Sequence, residues 1–287
     1  MGELKLAVVG FGLIGGSIGL AARQRWPGVH VTAIDRQPVV DLALRQRIAD
    51  AGGTHLALAA GADIVVLSAP VRQNVALLAE LPRDLEGEAL ITDVGGTKQA
   101  TVVAAHQLPA RLRFIGGHPL AGAASGGLGE ARADLFLGRP WILTPQDTSL
   151  PQDVDRLRTF VTGLGGRPRI MDPAAHDRLM AYLSHLPQIA VSALMQVVGE
   201  HAGAEGLHLA GGGLRDTTRL AASPAGTWRD VAATNVEAVS VAIDELTATL
   251  QRLRADLTTG DELQKVFESA RRWKATLEES EAVDRTP

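Results

Sequence analysis

The chain has 287 residues, 46% of them hydrophobic and 21% charged, which excludes a disordered or fibrous polypeptide and leaves room for two domains. A net charge of −4 with no basic run excludes a nucleic-acid partner, because such binding needs a concentrated cationic surface. The absence of cysteine excludes disulfides and thiolate chemistry and suits a reducing compartment.

The first strand-like run begins at Leu4, with no charged segment and cleavage site before it. No apolar stretch approaches the ~20 residues of a membrane span. The chain therefore reads as cytoplasmic, with no membrane association.

Strand candidates follow in order at 4–9, 31–34, 64–69, 90–94, 114–117 and 141–144. Several are apolar without alternation, as strands buried on both faces of a parallel sheet are. Alanine- and leucine-rich segments at 18–25 and 39–49 suit crossover helices. This alternation predicts a doubly wound α/β domain over residues 1–172, its last strand at 167–171.

Gly10-Phe11-Gly12-Leu13-Ile14-Gly15 links the first strand to a helix. In such a turn Gly10 permits the tight bend, Gly12 lets the backbone approach a pyrophosphate, and Gly15 lets helix and strand pack closely. The helix N-terminus then meets the phosphate charge. Asp35 closes the second strand 20 residues after Gly15. A carboxylate there accepts hydrogen bonds from ribose hydroxyls and repels a 2′-phosphate. Arg36 is a residue type that accompanies 2′-phosphate, but Asp35 in front of it favours NAD over NADP. Ser68, Ala69 and Pro70, where the strand at 64–69 ends, are counted with the same cofactor site.

Gly116-Gly117-His118-Pro119 follows the strand at 114–117, at the sheet edge where ligands bind in such folds. An imidazole there can take a proton as a hydroxyl becomes a carbonyl. Spacing alone also allows a loop histidine held for structure.

From Pro173 the strand signal ends and residues 173–287 read as an all-α domain, completed by a second copy of the chain. Asp172-Pro173 is an N-cap followed by proline. Ser184-His185-Leu186-Pro187 interrupts a helical pattern, and the proline is expected to kink it and aim His185 at a cleft. A core or surface histidine is the other reading of His185. Gly211-Gly212-Gly213 precede Asp216 and Arg219, whose guanidinium could clamp a carboxylate; Trp228-Arg229-Asp230 come next. An exposed helix arginine is the plainer reading of Arg219. Ile243, Leu246, Leu250, Leu253 and Leu257 mark a long amphipathic helix stopped at Gly260. Asp261 and Gln264 form a capping-box pattern for a last helix with Leu263, Val266, Ala270 and Leu277 inward. The eight histidines show no metal-ligand spacing, so no metal is expected.

These segments together resemble the prephenate/arogenate dehydrogenase family of tyrosine biosynthesis. The resemblance runs from the glycine-rich opening to about residue 245. It is carried most specifically by Gly117-His118-Pro119, Ser184-His185-Leu186-Pro187 and Gly213-x-x-Asp216-x-x-Arg219, with Trp228 and Asn235 following.

It implies a Rossmann-type domain followed by a helical dimerisation domain, a homodimer, and NAD-dependent oxidative decarboxylation of prephenate or arogenate. By the same resemblance His118 acts on the ring hydroxyl, His185 positions substrate and nicotinamide, and Arg219 holds a substrate carboxylate. Gly96, Thr97, Gly212, Asp216 and Trp228 are then expected around the substrate. Two departures stand out. The family's Asp-x-Gly-Ser-x-Lys is here Asp93-Val94-Gly95-Gly96-Thr97-Lys98, so a serine becomes Gly96; and a glutamate after His-Pro becomes Ala124. With no regulatory domain after the helices, feedback by tyrosine is expected to act at the active site.

Overall fold

The computed structural model describes residues 4–123 and 125–284. Its first part alternates strand and helix: β1 (Lys5–Val9), α1 (Leu13–Arg25), β2 (His30–Ile34), α2 (Gln37–Arg45), β3 (Ala51–Gly53), β4 (Ile64–Leu67), α3 (Val71–Asp84), β5 (Ala89–Asp93), α4 (Gln99–Ala105) and β6 (Leu112–Phe114). The six strands form one parallel sheet in the order β3-β2-β1-β4-β5-β6. Its order reverses at β1 and β4, the switch point beside which such sheets bind ligands. Both faces are covered, which explains the lack of alternation. Leu6, Val8, Val31, Ile64 and Val66 join one buried cluster; Ala7, Val9, Ile34, Val65 and Leu67 join the other.

A second sheet of three strands, β7 (Gly116–Pro119), β8 (Pro140–Thr144) and β9 (Arg167–Ile170), follows, with α5 (Pro151–Gly163) between β8 and β9. The strand expected at 114–117 is therefore two strands in two sheets, changing over at Ile115. His118 lies within β7, opposite Ile142 of the antiparallel β8, and not in a loop past the strand. Glycines explain the change. A Cβ at Gly117 would come within 2.6 Å of the Asp93 carbonyl oxygen, so only a bare backbone lets β7 press against the end of β5.

Every described element after β9 is helical: α6 (Pro173–Met180), one π-helical turn (Ala181–His185), α7 (Leu186–Leu207), α8 (Gly212–Thr217), α9 (Ala225–Thr234), α10 (Val236–Ala255) and α11 (Asp261–Asp284), with a 3-10 turn at Arg219–Ala222. Asp172 caps α6, accepting the Ala175 N–H at 2.8 Å. Pro187 falls in the first turn of α7, which continues directly from the preceding helical turn. The interruption lies just before it, as the π-turn that ends on His185.

Compact units divide the chain at Met1–Val236 and Glu237–Pro287. Helices α6–α9 share the first unit with the sheets because side chains tie them there. Asp230 accepts the Arg72 N–H at 3.1 Å, and the Thr97 and Thr234 hydroxyls pair at 2.7 Å. In the second unit α10 ends at Ala255, short of the expected Leu257, and a turn follows before Gly260 at φ +80°. The capping box does not form there. The Asp256 carboxylate takes the Glu262 N–H at 2.7 Å and the Leu263 N–H at 3.3 Å, while Asp261 is already the first helical residue. Leu263 and Leu277, expected inward, are exposed on the single chain.

Candidate active site

The glycine turn is built as its spacing predicts. Gly10 has φ +89°, and a Cβ on it would stand 2.6 Å from the backbone of Ser68 and Ala69. The turn after β1 and the segment Ser68-Ala69-Pro70 after β4 are thus brought together at the switch point. A Cβ at Gly15 would run into the Gly10 carbonyl oxygen and the Val8 side chain, so α1 can pack this closely on β1 only with glycine there. Gly12 faces open space.

Helix α1 starts at Leu13 with no side-chain cap and no acidic residue in its first turn. The N–H groups around Leu13 and Ile14 are therefore left for an anion. Asp35 reaches back to the turn: Oδ2 accepts the Phe11 N–H and Oδ1 the Arg36 N–H, each at 2.6 Å. Phe11 is wholly buried, its ring in the core cluster and its N–H taken by Asp35. Arg36 is exposed, its Nε 3.8 Å from Asp35. Ser68 Oγ is buried without a hydrogen-bond partner in this crevice. An uncapped helix end, open space at Gly12, a fixed carboxylate and an orphaned hydroxyl fit a dinucleotide.

Beside it, β7 holds His118 at the head of a buried polar chain. His118 Nδ1 lies 2.9 Å from His176 Nε2, and His176 Nδ1 lies 2.8 Å from Asp177 Oδ1. Asp177 also accepts the N–H groups of Lys98 and Gln99, at 2.7 and 2.9 Å. Lys98, fully buried, bonds to Asp93 and, at 2.7 Å, to the Gly117 carbonyl. Asp93 accepts the Gly95 and Gly117 N–H groups at 3.0 Å. Gly117, the residue before His118 in the strand, is thereby held at both its N–H and its carbonyl. On the other side of His118, a Cβ at Gly96 would stand 4.0 Å from Nε2. Gly96 therefore leaves room next to that nitrogen. The Thr97 hydroxyl is fully buried and engaged by Thr234, so it is not a free donor to a ligand. Ala124 lies outside the described residues.

His185 joins the same cluster. Its Nδ1 is 3.3 Å from Asn235 Nδ2, which also donates to the Asp177 carbonyl at 2.8 Å, and its ring meets Trp228 edge-on at 6.3 Å. Arg219 is not bonded to this cluster. It is exposed, with no ion-pair partner among the described residues, and opens the turn whose next carbonyl, Leu220, accepts from Gln188 of α7 at 2.8 Å. Asp216 and Gly212 lie on the short exposed helix α8, the carboxylate 3.9 Å from where a Gly212 Cβ would be. His118, His185, Gly96, Thr97 and Trp228 are thus linked through direct neighbours, whereas Arg219, Asp216 and Gly212 are placed only by their backbone.

Burial holds both imidazoles neutral. His118 is pushed well below the ordinary histidine value, first by desolvation and then by His176, Lys98 and His185. Desolvation lowers His185 to about 4, Asp177 opposing and His176 reinforcing. As pH falls from the ordinary 6.5 towards about 4, the unfolded chain binds a proton at His185 that the folded chain refuses. Stability from this site is complete above that window and is lost through it. The melting temperature should therefore fall across this range, and less steeply in His185→Gln; equal slopes would contradict the assignment.

No motif marks His176 and Asp177, and Asp93 and Lys98 stand at the ends of the Asp-x-Gly-Ser-x-Lys pattern without a role read from it. Among the described residues no group of three or more His, Cys, Asp or Glu is placed to hold a metal ion. Among the described residues no helix is long and apolar enough to cross a membrane.

Comparison with known proteins agrees with this geometry. Residues 18–169 match the family described as prephenate dehydrogenase, nucleotide-binding domain, and residues 172–269 its dimerization domain. The prephenate dehydrogenase of Bacillus subtilis (strain 168) is 34% identical over 291 residues, covering 96% of this chain and 77% of that protein. A solved structure of prephenate dehydrogenase from A. aeolicus, in complex with hydroxyphenyl propionate and NAD+, superimposes with a TM-score of 0.88 at 28% identity, covering 96% of this chain and 99% of that one. Synechocystis arogenate dehydrogenase gives 0.82 at 29% identity, covering 96% and 100%. With a nucleotide turn at the switch point, a buried histidine cluster beside it and both family domains matched in order, the chain belongs to the prephenate dehydrogenase family.

Proposed function

We propose that this chain is an NAD-dependent oxidoreductase that converts prephenate to 4-hydroxyphenylpyruvate and CO2 in tyrosine biosynthesis. The observation that carries the reading is His118: a neutral imidazole whose Nε2 borders the space at Gly96, on a strand next to a dinucleotide turn. Bound NAD supplies the hydride acceptor.

His118 Nε2 takes the proton of the ring C4 hydroxyl as hydride leaves C4, and returns it to that oxygen once the ring carboxylate departs as CO2 and its electron pair aromatises the ring. Holding the two reactants in line and stabilising charge at one oxygen is most of what the protein must do. His185, kept neutral, positions the ring and nicotinamide with Trp228 against it. Arg219 clamps a substrate carboxylate, with Asp216 and Gly212 shaping its turn. Gly96 leaves space for the substrate ring, and Thr97 fixes that segment through Thr234. The backbone from Gly10 to Gly15 and Ser68-Ala69-Pro70 hold the dinucleotide, and Asp35 takes the ribose hydroxyls, selecting NAD over NADP despite Arg36. Residues 1–172 form the nucleotide-binding domain and 173–287 the helical one, through which two copies associate in the cytoplasm.

Arg219→Ala is expected to raise KM for the substrate by about 10–100-fold, the worth of a charge-assisted hydrogen bond, with KM for NAD unchanged. An unaltered substrate KM would remove Arg219 from that role.

A second reading, arogenate as substrate, is favoured by the likeness to the Synechocystis arogenate dehydrogenase. The deciding experiment compares kcat/KM for prephenate and arogenate, each with NAD and NADP. Prephenate with NAD should lead; an arogenate preference would establish the second reading.

A further inference from the structure

The His118 ring is held from behind by two residues that no motif assigned a role. His176 is fully buried, as is Asp177, and both come from α6, a helix of the all-α part, onto a strand of the α/β part. Asp177 Oδ1 receives the Lys98 N–H and lies 2.8 Å from His176 Nδ1; its Oδ2 receives the Gln99 N–H. Both oxygens of Asp177 already accept backbone N–H groups, so the hydrogen between it and His176 is supplied by His176 Nδ1. With its ring hydrogen at Nδ1, His176 turns the lone pair of Nε2 towards His118. At 2.9 Å from that lone pair, His118 Nδ1 must in turn be the donor.

We propose that Asp177 and His176 are positioning residues that lock His118 in its Nδ1–H tautomer and leave the Nε2 lone pair as the site's proton acceptor. The arrangement follows the logic by which a buried carboxylate fixes a catalytic histidine's tautomer and stabilises its cation, here with one imidazole interposed. The gain of a proton at Nε2 strengthens each donor in the line towards Asp177. Because α6 carries the pair, the helical part sets the protonation pattern of a base that the other part supplies. The functional half of this inference rests on His118 being the acid–base group; the tautomer does not.

Nitrogen NMR of protein labelled in histidine, with His118 assigned by its loss in His118→Asn, reads the tautomer directly in the unmodified chain. Nδ1 protonated and Nε2 bare is the expected result. A ring protonated at Nε2 would overturn the proposal without any variant having to fold. In turnover, His176→Phe should lower kcat on the order of 100-fold with NAD affinity unchanged, and His176→Gln, whose carbonyl can still accept from Nδ1–H, should recover about tenfold of that loss. Wild-type kcat in a folded His176→Phe would overturn it too. Should His118→Asn prove fully active while the ring shows Nδ1–H, the base assignment fails and the tautomer lock stands.

Discussion

Replacing His118 by Asn is expected to lower kcat about 10²–10⁴-fold, the range that a positioned acid–base group contributes, and to leave NAD affinity at the wild-type value. The separation follows from where the residue sits. His118 is on β7 of the second sheet, while the nucleotide turn and Asp35 directly follow β1 and β2 of the first. Asparagine is close in size and can accept the same backbone, so loss of folding is not the cause to expect. Its amide has no basic nitrogen to take the hydroxyl proton. Burial first, and then the neighbouring His176, Lys98 and His185, keep His118 neutral well below the ordinary histidine value, so the base form persists into mildly acidic solution. The acidic limb of the wild-type kcat/KM profile should accordingly lie below 6.5. Steady-state rates with separately measured NAD binding check both halves. Full activity in His118→Asn would take the proton-transfer role away from this residue.

Lys98→Met is expected to destabilise the fold by about 3–5 kcal/mol, the cost of leaving a buried charge without its partner. Methionine fills similar volume, so the effect isolates the charge. Lys98 and Asp93 are both fully buried and bonded to each other, and burial pushes the Lys98 amine down while Asp93 opposes that shift. Asp93 would keep only the Gly95 and Gly117 N–H groups, and the Gly117 carbonyl would lose its donor. The damage then reaches the residue before His118, so activity should fall even below the unfolding transition. The denaturant midpoint at unchanged slope measures the stability loss. A midpoint equal to wild type would show that the pair is not load-sharing in the core.

Much of this was legible in the sequence because it is local. The turn at Gly10–Gly15 needs its residue types within six positions, and a buried parallel strand shows itself as an unbroken apolar run. The short β3 carries no such signal: Ala51-Gly52-Gly53 is a strand only because it pairs with Thr32–Ile34. The change of sheet at Ile115 was equally hidden, since its cause is the close approach of Gly117 to Asp93, 24 positions away. His176 looked like a helix residue and nothing more. Its meaning lies in contacts with His118, 58 positions earlier, and with a carboxylate that a single-residue motif does not mark. Asp256 displaced the expected cap at Asp261 for the same reason, a side chain reaching across a turn. Thr97 was read as a hydroxyl beside the substrate. It is instead a buried partner of Thr234, from a helix whose docking no local pattern records.

The most direct test of the reaction is its stoichiometry. Purified protein, NAD and prephenate are mixed, and reduced nicotinamide and CO2 are followed in the same sample. Equal amounts of each, appearing together and ceasing together in His118→Asn, are the expected result. Reduced nicotinamide without CO2, or NAD bound with neither product formed, would contradict oxidative decarboxylation at this site.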